Sequence, residues 1–493
     1  MPADQHCDLL IVGSGIMGAG VARLVRDALP AARILMLDSG PVLGPIAGQH
    51  LHDMPDGELQ LRHKERIASG VQGMYVGAED VADDAGVGAA DREPGMYRLA
   101  GLGEDADALP AAALAWNTGG MSVHWTAATP AAWGSEIPEC IDPESWQHDT
   151  AAASRFLHVN ADPRGDSPLR TALMGALNDV FGPHSEPGRQ VQALPMAVNR
   201  DGEGALVRTG PNRIFPAIAT GADPHFELRS GAQVMRLLHE EAGGERPGER
   251  TVRGAVVRKI TTGEEYTVTA MTTVVCADAF RTPQLLFASG IRPTALGRYL
   301  NEHIFQTGRV HVDPDAVGLQ AQALAGDSDS EWRHTSYWLP HSDKAQSFNG
   351  QFSGTARLGA DGEIAEFFAG IALYVPTEIQ ETNRIEFSDT ELDALGMPKM
   401  RVVFDYIDDD RRLLAEAREA QARAGRHLGR FDPATDSETL PPGTSLHMTG
   451  TVRMGPADDG TSVCDPDTAS GTTTTSTWPV AESSRPPSSA PPR

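Results

Sequence analysis

The sequence predicts an α/β (α+β) fold made of two domains, on three observations. A short apolar strand at residues 9–12 runs into a glycine-rich turn and then a helix. A buried strand of the same kind returns far along the chain, at residues 273–277. Residues 305–405 alternate apolar and polar side chains over several runs. These patterns predict a Rossmann-like nucleotide-binding domain built from discontinuous segments, and a second domain with a mainly antiparallel sheet.

The glycine-rich turn carries a dinucleotide-binding pattern. Gly13, Gly15 and Gly18 fit GxGxxG, in which the glycines permit a tight turn, close approach to a pyrophosphate and close helix–strand packing. The helix that follows offers free N–H groups to phosphates at its N-terminus. The next apolar strand, residues 34–37, ends in Asp38, where a carboxylate accepts hydrogen bonds from an adenosine ribose. We favour a dinucleotide site over a glycine-rich turn that binds nothing.

Length and charge limit the classes of protein to consider. A chain of 493 residues is long for one domain, so two closely connected domains are expected. The net charge of −26 argues against nucleic acid or an anionic membrane surface as a partner, because both require basic surface. No apolar run reaches the roughly 18 residues of a membrane span, and MPADQHC lacks the features of a secretory signal. We therefore expect a cytoplasmic protein.

Neither the cysteines nor the histidines form a metal-binding pattern. The 4 cysteines are scattered without a CxxC pair, so neither a zinc site nor a disulfide scaffold is expected. His50, His52 and His63 lack regular ligand spacing. They fall in residues 41–110, a Gly-, Asp- and Ala-rich region that we expect to form loops over the nucleotide.

The segment Trp116–Pro130, WNTGGMSVHWTAATP, combines two glycines with hydrogen-bonding side chains. Gly119 and Gly120 allow another close approach of the backbone. The small polar groups are Ser122, His124, Thr126 and Thr129. A structural turn around a buried tryptophan would explain the glycines but not the polar groups, so we interpret the segment as a cofactor-facing loop.

The rest of the chain supplies the remaining elements. Helical periodicity predicts helices over Pro168–Phe181 and Asp408–Leu428, and strands are predicted between residues 225 and 275. We assign residues 1–150, 225–305 and 430–467 to the nucleotide-binding domain, residues 151–224 and 306–429 to the second domain, and residues 468–493 to a disordered low-complexity tail.

Several motifs, spread over nearly the whole chain, resemble those of one protein family. They are VGSGIMGAG at 12–20, GGMSVHWTAATP at 119–130, VVCADAFRTPQLLFASGI at 274–291, LGRYLNEH at 296–303 and LHMTGTVRMG at 446–455. The chain resembles the glucose–methanol–choline (GMC) flavoprotein oxidoreductases. Within them it is most similar to the pyranose oxidase and bacterial sugar (C-glycoside) 3-oxidase branch.

The resemblance implies an FAD cofactor and places residues around it. Gly13, Gly15, Gly18 and Asp38 would hold the ADP half. The residues implied along the flavin are Gly119, Gly120, Ser122, His124, Trp125 and Thr126, with Val234 at the adenine and Ala277 near the ribityl or pyrophosphate part. In fungal pyranose oxidases the histidine matching His124 is the covalent attachment point of the flavin. The sequence leaves open whether His124 is bonded, and Gln351 is implied as a substrate-binding residue.

His447 matches the active-site histidine of the family. An alcohol that gives hydride to a flavin must also lose its hydroxyl proton, and a neutral imidazole is suited to accept it near neutral pH. The alternative is a buried histidine satisfied by backbone groups. We assign the proton-accepting role to His447 and expect His303, His334 and His341 to be surface or packing residues.

After residue 467 the composition changes to a Thr-, Ser- and Pro-rich tail. The resemblance implies a different ending, with a strand, an AGxxxxP turn and an asparagine or second histidine that pairs with His447 across the substrate. We interpret the tail as the product of a shifted reading frame, and the alternative is a natural flexible tail. Sequencing the gene across codon 467 decides between the two.

The leading hypothesis is an FAD-dependent oxidoreductase acting on a secondary hydroxyl of a sugar or glycoside, with oxygen or a quinone as acceptor. One alternative is a catalytically impaired flavin-binding remnant that lacks the C-terminal active-site segment. Another is an NAD-dependent dehydrogenase, which would leave GGMSVHWTAATP and LHMTGTVRMG unexplained.

Overall fold

The computed structural model of the chain describes residues 6–55, 57–58, 88–241, 250–325, 332–456, 459–469 and 473–474. Its strands are β1 (His6–Val12), β2 (Ile34–Leu37), β3 (Gly95–Arg98), β4 (Ala113–Trp116), β5 (Gln192–Ala193), β6 (Val198–Arg200), β7 (Leu206–Arg208), β8 (Phe226–Arg229), β9 (Ala232–Glu241), β10 (Arg250–Lys259), β11 (Glu265–Val275), β12 (Ile304–Val312), β13 (Trp332–Leu339), β14 (Asn349–Leu358), β15 (Ile364–Val375), β16 (Arg384–Leu392), β17 (Pro398–Val403), β18 (Gly429–Arg430), β19 (Ser437–Thr439) and β20 (Thr473–Thr474).

The α-helices are α1 (Ile16–Ala28), α2 (Pro143–Phe156), α3 (Pro168–Phe181), α4 (Pro211–Ile214), α5 (Ala217–Thr220), α6 (Asp278–Ala288), α7 (Ala321–Leu324) and α8 (Asp408–Leu428). Short 3₁₀ turns lie at Leu51–Asp53, Ala89–Asp91, Ala100–Leu102, Gly120–Val123, Gly134–Glu136 and Gly182–His184. Within the described residues, we find no helix with the length and apolar character that crossing a bilayer requires.

The first sheet has a parallel centre in the order β11-β1-β2-β8. Strand β1 is fully flanked, since Leu10 pairs with Leu35 of β2 on one side and with Thr273 of β11 on the other. Strands β10 and β9 extend the sheet in antiparallel fashion beyond β11. The expected return of a buried strand late in the chain is therefore confirmed, because β11 pairs directly with β1.

The turn between β1 and α1 depends on its glycines. Gly13 has a φ of 103°, in the left-handed region, and a Cβ there would lie 2.3 Å from the carbonyl oxygen of Cys276. A Cβ on Gly18 would lie 2.1 Å from the carbonyl oxygen of Gly13. Both positions must therefore be glycine for α1 to pack against β1 and β11 as it does.

The second sheet runs in the antiparallel order β18-β12-β15-β14-β13-β5, with β19 also paired to β12. Helices α3 and α8 cover one face of it. The apolar cluster between helices and sheet includes Leu173, Leu177, Phe352, Leu373 and Leu428. The predicted antiparallel sheet is confirmed, and its other face is left for the site described below.

Both long helices begin and end where the sequence predicts. Helix α3 is capped by Ser167, whose side chain accepts a hydrogen bond from the N–H of Arg170, and Pro168 occupies the first helical turn. Helix α8 carries acidic residues in its first turn and basic residues in its last, in agreement with the helix dipole. Strand β3 lies within residues 41–110, which were predicted as loops, so its pairing with β4 in a hairpin was missed.

Some predictions fall on residues that the structure does not describe. They include His63 and part of the 41–110 loop region, since residues 56 and 59–87 lie outside the described ranges. Of the predicted disordered tail, the structure describes residues 468–469 and β20, which pairs with the start of β10. The rest of that tail lies outside the described residues, so its predicted disorder stays a prediction.

The two glycines of α1 provide a matched test of the turn. We expect Gly18→Ala to lower the free energy of unfolding by about 3 kcal/mol or more, because the added methyl group meets a backbone carbonyl that cannot move freely. A Cβ at Gly20, in the same helix, has no atom within 4 Å, so Gly20→Ala should be neutral or stabilising by up to about 1 kcal/mol. Urea unfolding of both variants measures the difference, and equal effects would contradict the packing argument.

Candidate functional site

A cavity of about 360 Å³ opens at the carboxyl ends of β1, β2 and β11. This is the edge at which open parallel sheets bind ligands. The residues predicted to bind cofactor that line it are Gly13, Gly15, Asp38, Gly120, Ser122, Val234 and Ala277. The cavity is also lined by Leu446 and Met448, on either side of His447. The structure therefore brings the glycine-rich turn, the 116–130 loop and the C-terminal motif to one place.

A chain of buried hydrogen bonds joins the glycine-rich turn to the loop. The Oδ2 atom of Asp38 accepts hydrogen bonds from the N–H of Ser14 (3.0 Å) and from its hydroxyl. The Ser14 Oγ in turn accepts one from the N–H of Gly119 (2.8 Å). The Oδ1 atom accepts one from the N–H of Gly40 (2.9 Å). Because a carboxylate offers about four acceptor positions, one remains on Oδ1 for the ribose contact predicted for Asp38.

Burial raises the pKa of Asp38, although the hydrogen bonds from Ser14 and Gly40 favour its charged form. Ser14 was not singled out from the sequence. It occupies a variable position of GxGxxG, so the motif alone carries no signal for it.

Three side chains in the cavity lining carry buried polar atoms that have no hydrogen-bond partner among the described residues. They are Nε1 of Trp116, Oε1 of Gln233 and Nη2 of Arg281. Leaving such an atom unpaired costs about 1–3 kcal/mol, so each is a candidate contact for a polar ligand. The N-terminus of α1 adds further donors, since its N-cap Gly15 has no side chain to satisfy them. This donor and acceptor set fits a dinucleotide.

Arg281 is fixed within a buried charged network beside the cavity. Its Nη1 atom lies 3.1 Å from Glu104 and 2.6 Å from Asp393. Gln284 donates a hydrogen bond to the carbonyl of Pro398 (2.8 Å). Asp393 belongs to the segment between β16 and β17, so this network joins α6 to that hairpin.

The end of the 116–130 loop lies behind the cavity lining. The Nε2 atom of His124 is 2.8 Å from Oδ1 of Asn117, which itself lines the cavity. Trp125 donates from Nε1 to the carbonyl of Thr209 (3.0 Å), and Thr126 is exposed. The cavity lining does not include His124, Trp125 or Thr126, and it also omits Gly18 and Gly119. The flavin contacts assigned to His124, Trp125 and Thr126, and covalent attachment at His124, stay predictions.

His50 is hydrogen-bonded to the backbone of that loop. Its Nε2 atom is 2.8 Å from the carbonyl oxygen of Trp125. Burial lowers the pKa of His50 to about 3, so the ring is neutral and donates this hydrogen bond.

His447 is held by pairing between two segments that are distant in sequence. The N–H and C=O groups of Asn301 and Thr449 bond to each other at 3.0 and 2.9 Å. The buried carboxylate of Glu302 accepts hydrogen bonds from the N–H groups of Gly443 (2.6 Å) and Ser445 (3.2 Å), and from the Ser445 hydroxyl (2.9 Å). This clamp fixes the backbone immediately before His447.

The imidazole of His447 faces a second histidine. Its Nδ1 atom lies 2.7 Å from Nε2 of His303, which we expected to be a surface or packing residue. The ring of Tyr374 lies 5.0 Å from that of His303 and 5.7 Å from that of His447, between ring centroids. Desolvation lowers the pKa of His447, although the residue is partly exposed, so the ring is neutral at neutral pH. The signal for Glu302 and His303 was present in LGRYLNEH, where two titratable residues directly precede the alternating strand β12.

Gln351 lies on the sheet face that points toward His447. It pairs with Ala372 of β15, two residues before Tyr374, and with Trp338 of β13. Tyr374 itself pairs with Asn349 and with Phe305, whose ring stacks on it at 4.7 Å. Since directly paired residues share a face, these aromatic and amide side chains form one surface. Its composition suits a ligand with hydroxyl groups and apolar C–H faces.

Comparisons with known proteins show which family the chain resembles. Residues 380–474 match the GMC oxidoreductase family model. The chain is 35% identical over 472 residues to the C-glycoside 3-oxidase of Microbacterium trichothecenolyticum. The aligned region covers 93% of this chain and 88% of that protein. It is 25% identical over 503 residues to the pyranose 2-oxidase of Tricholoma matsutake, and this alignment covers 94% of this chain and 86% of that protein.

This chain belongs to the GMC oxidoreductase family. The resemblance found in the sequence is thereby confirmed, and the protein is an oxidoreductase of a family whose members are FAD flavoproteins. Two solved structures share the fold of this GMC oxidoreductase. They are pyridoxine 4-oxidase from Mesorbium loti (TM-score 0.55, 17% identity, 95% of this chain and 92% of that one) and formate oxidase (TM-score 0.57, 14% identity, 96% and 93%).

The Ser14 hydroxyl should be needed for stability. Ser14→Ala leaves the buried N–H of Gly119 without its acceptor and removes one donor to Asp38, so we expect a loss of about 1–3 kcal/mol in the free energy of unfolding. Ser39 also lines the cavity but is not part of this hydrogen-bond chain, and Ser39→Ala is the control. Thermal unfolding compares the variants, and an unchanged midpoint for Ser14→Ala would contradict the inferred role.

Glu302 should give the stability of the protein a specific pH dependence. Burial raises its pKa from 4.5 to about 7 in the fold. Between these values the unfolded chain releases the proton that the folded chain retains, so the contribution of Glu302 falls as the pH rises from about 4.5 to 7 and is then constant.

Glu302→Gln removes this titration. We expect the free energy of unfolding of the wild type, relative to that of Glu302→Gln, to fall from pH 5 to pH 7. The fall is about 1.4 kcal/mol for each unit by which the pKa of Glu302 in the folded protein exceeds that in the unfolded chain. Urea unfolding at several pH values measures it. The exposed Glu419→Gln serves as the control, and a difference that is independent of pH would rule out the inferred titration.

Proposed function

We propose that this GMC oxidoreductase uses FAD to oxidise a secondary CH–OH group of a sugar or glycoside. The observation that carries the proposal is the single cavity lined by Gly13, Gly120 and the two neighbours of His447. The named activities of the relatives, C-glycoside 3-oxidase and pyranose 2-oxidase, support a sugar or glycoside as substrate.

The cavity lining fits the ADP half of FAD at the glycine-rich turn. The N–H groups at the start of α1 and Nη2 of Arg281 would offer donors to the pyrophosphate, and Gln233, next to Val234, would offer an acceptor to the adenine amino group. When bound, the flavin supplies the chemistry of hydride acceptance. The protein supplies the orientation of the two reactants and the removal of a proton.

His447 is the base in this proposal. Its neutral ring accepts the hydroxyl proton as the C–H bond breaks, so that charge does not build up on the substrate oxygen. The clamp from Glu302 and the pairing at Asn301 hold the backbone on either side of His447, whose neighbours Leu446 and Met448 line the cavity. Gln351 and Asn349, on the sheet face beside Tyr374, would bind substrate hydroxyl groups and orient the sugar.

The division into domains remains part of the proposal. In it, residues 1–150, 225–305 and 430–467 bind FAD, and residues 151–224 and 306–429 contribute the substrate face. The acceptor, oxygen or a quinone, and the cytoplasmic location also stay predictions.

An absorbance spectrum tests the cofactor first. We expect a flavin spectrum from the purified protein, and acid precipitation then separates free FAD from flavin held covalently at His124. A protein that releases nicotinamide instead would support the NAD-dependent alternative and overturn the proposal.

The activity of the base is tested on the flavin-loaded protein. Glucose or a C-glycoside should reduce the flavin without oxygen. His447→Ala should lower that rate by about 10²- to 10⁴-fold while the flavin spectrum is retained. His148, on the surface of α2, provides the control variant His148→Ala.

Two outcomes of that experiment contradict parts of the proposal. Bound flavin that no sugar reduces would favour the impaired remnant. Equal rates for wild type and His447→Ala would exclude His447 as the base. Mixing the reduced protein with oxygen or benzoquinone then identifies the acceptor.

A further inference from the structure

The contact between His303 and His447 fixes which nitrogen of His447 can react. The hydrogen bond of 2.7 Å joins Nε2 of His303 to Nδ1 of His447. The two rings meet edge to face, with centroids 5.0 Å apart and planes at 66°. Proton exchange with a ligand therefore falls to the remaining ring nitrogen of His447, Nε2.

Two arrangements of the proton in this hydrogen bond have opposite chemical consequences. If Nδ1 of His447 donates, its Nε2 carries a lone pair and can accept a proton. If Nε2 of His303 donates, the neutral His447 ring must carry its own proton on Nε2, and it is then a donor rather than a base.

We propose that His303 is a positioning residue that accepts the Nδ1–H of His447 and so selects the tautomer in which Nε2 of His447 is a base. The direction of this hydrogen bond is inferred from the proposed function, in which His447 is the base. In the reaction, the substrate O–H bond breaks, an N–H bond forms at Nε2 of His447, and the proton on Nδ1 stays between the two rings.

The surroundings of His303 suit an acceptor that stays neutral. Burial first, and then the proximity of His447, lower the pKa of His303 to about 3. The titratable groups around the pair are Tyr374 of β15, Glu302, whose carboxylate is turned toward Gly443 and Ser445, and Tyr406 near Glu302. Once His447 gains its proton, the hydrogen bond to His303 becomes charge-assisted and therefore stronger.

The fold sets the distance between the two rings. His303 directly precedes β12, whose first residue, Ile304, pairs with Val375. On the other segment, the Glu302 clamp and the pairing of Asn301 with Thr449 lie on either side of His447. Since adjacent residues of the same two segments are tied together, the backbones that carry the two imidazoles are held at a fixed distance.

The tautomer can be measured directly in the full-length protein without a substrate. Histidine labelled with ¹⁵N reports, through long-range ¹H–¹⁵N spectra, which ring nitrogen of His447 carries hydrogen. We expect the Nδ1–H form in the wild type. In His303→Phe, which keeps an aromatic ring against Tyr374 but accepts no hydrogen bond, the Nε2–H form should increase.

A conservative variant distinguishes hydrogen bonding from packing. The amide oxygen of His303→Gln can accept a hydrogen bond at a reach similar to that of Nε2, so the Nδ1–H form should return. His303→Asn is one methylene shorter and should not restore it. If His303→Phe fails to fold, the pair of Gln and Asn variants decides the question. An Nε2–H form in the wild type, or the same tautomer in Gln and Asn variants, overturns the inference.

Flavin reduction in the loaded protein provides a second readout. We expect His303→Phe to lower kcat by about 10²-fold or more with little change in KM, because the base is in the wrong tautomer. His303→Gln should recover most of the rate. A loss of rate that Gln does not recover would contradict the inference. A wild type that no sugar reduces would overturn the proposed function, while the spectra still report the tautomer.

Discussion

The hydrogen bonds that converge on the carboxylate of Asp38 are the interaction on which the cavity depends. Through Ser14 and Gly40 they fix the turn after β1 and the turn after β2, and through the Ser14 hydroxyl they reach Gly119. The backbones come so close here that a Cβ on Gly40 would lie 2.3 Å from the N atom of Asn117. The glycine-rich turn thus also supports the loop that closes the other side of the cavity.

Buried carboxylates perform the same task elsewhere around the site. Glu302 holds the backbone before His447, and Glu104 with Asp393 holds Arg281 on α6. A buried charge is costly unless it is paired or accepts several hydrogen bonds, and each of these carboxylates has such partners. The consequence is a site whose parts come from distant segments and are nevertheless fixed relative to one another.

The second sheet contributes through the alternation of its side chains. In β14 and β15, Phe352 and Leu373 point toward the helices α3 and α8, so their neighbours Gln351 and Tyr374 must point the other way. One face of the sheet packs against the two helices, and the opposite face carries Gln351 and Tyr374. The ring of Tyr374, stacked on that of Phe305, then packs against both histidines.

The sequence by itself determined the local elements and the family. The GxGxxG turn, the helices α3 and α8 and the alternating strands follow from short-range patterns, because hydrogen bonding and side-chain period act over a few residues. Only the tertiary structure decided which side chains meet. Ser14 gained its role because β2 and the 116–130 loop come to it, and His303 gained its role because residues 297–301 pair with residues 449–451. Such contacts join residues far apart in the chain, and no local period encodes them.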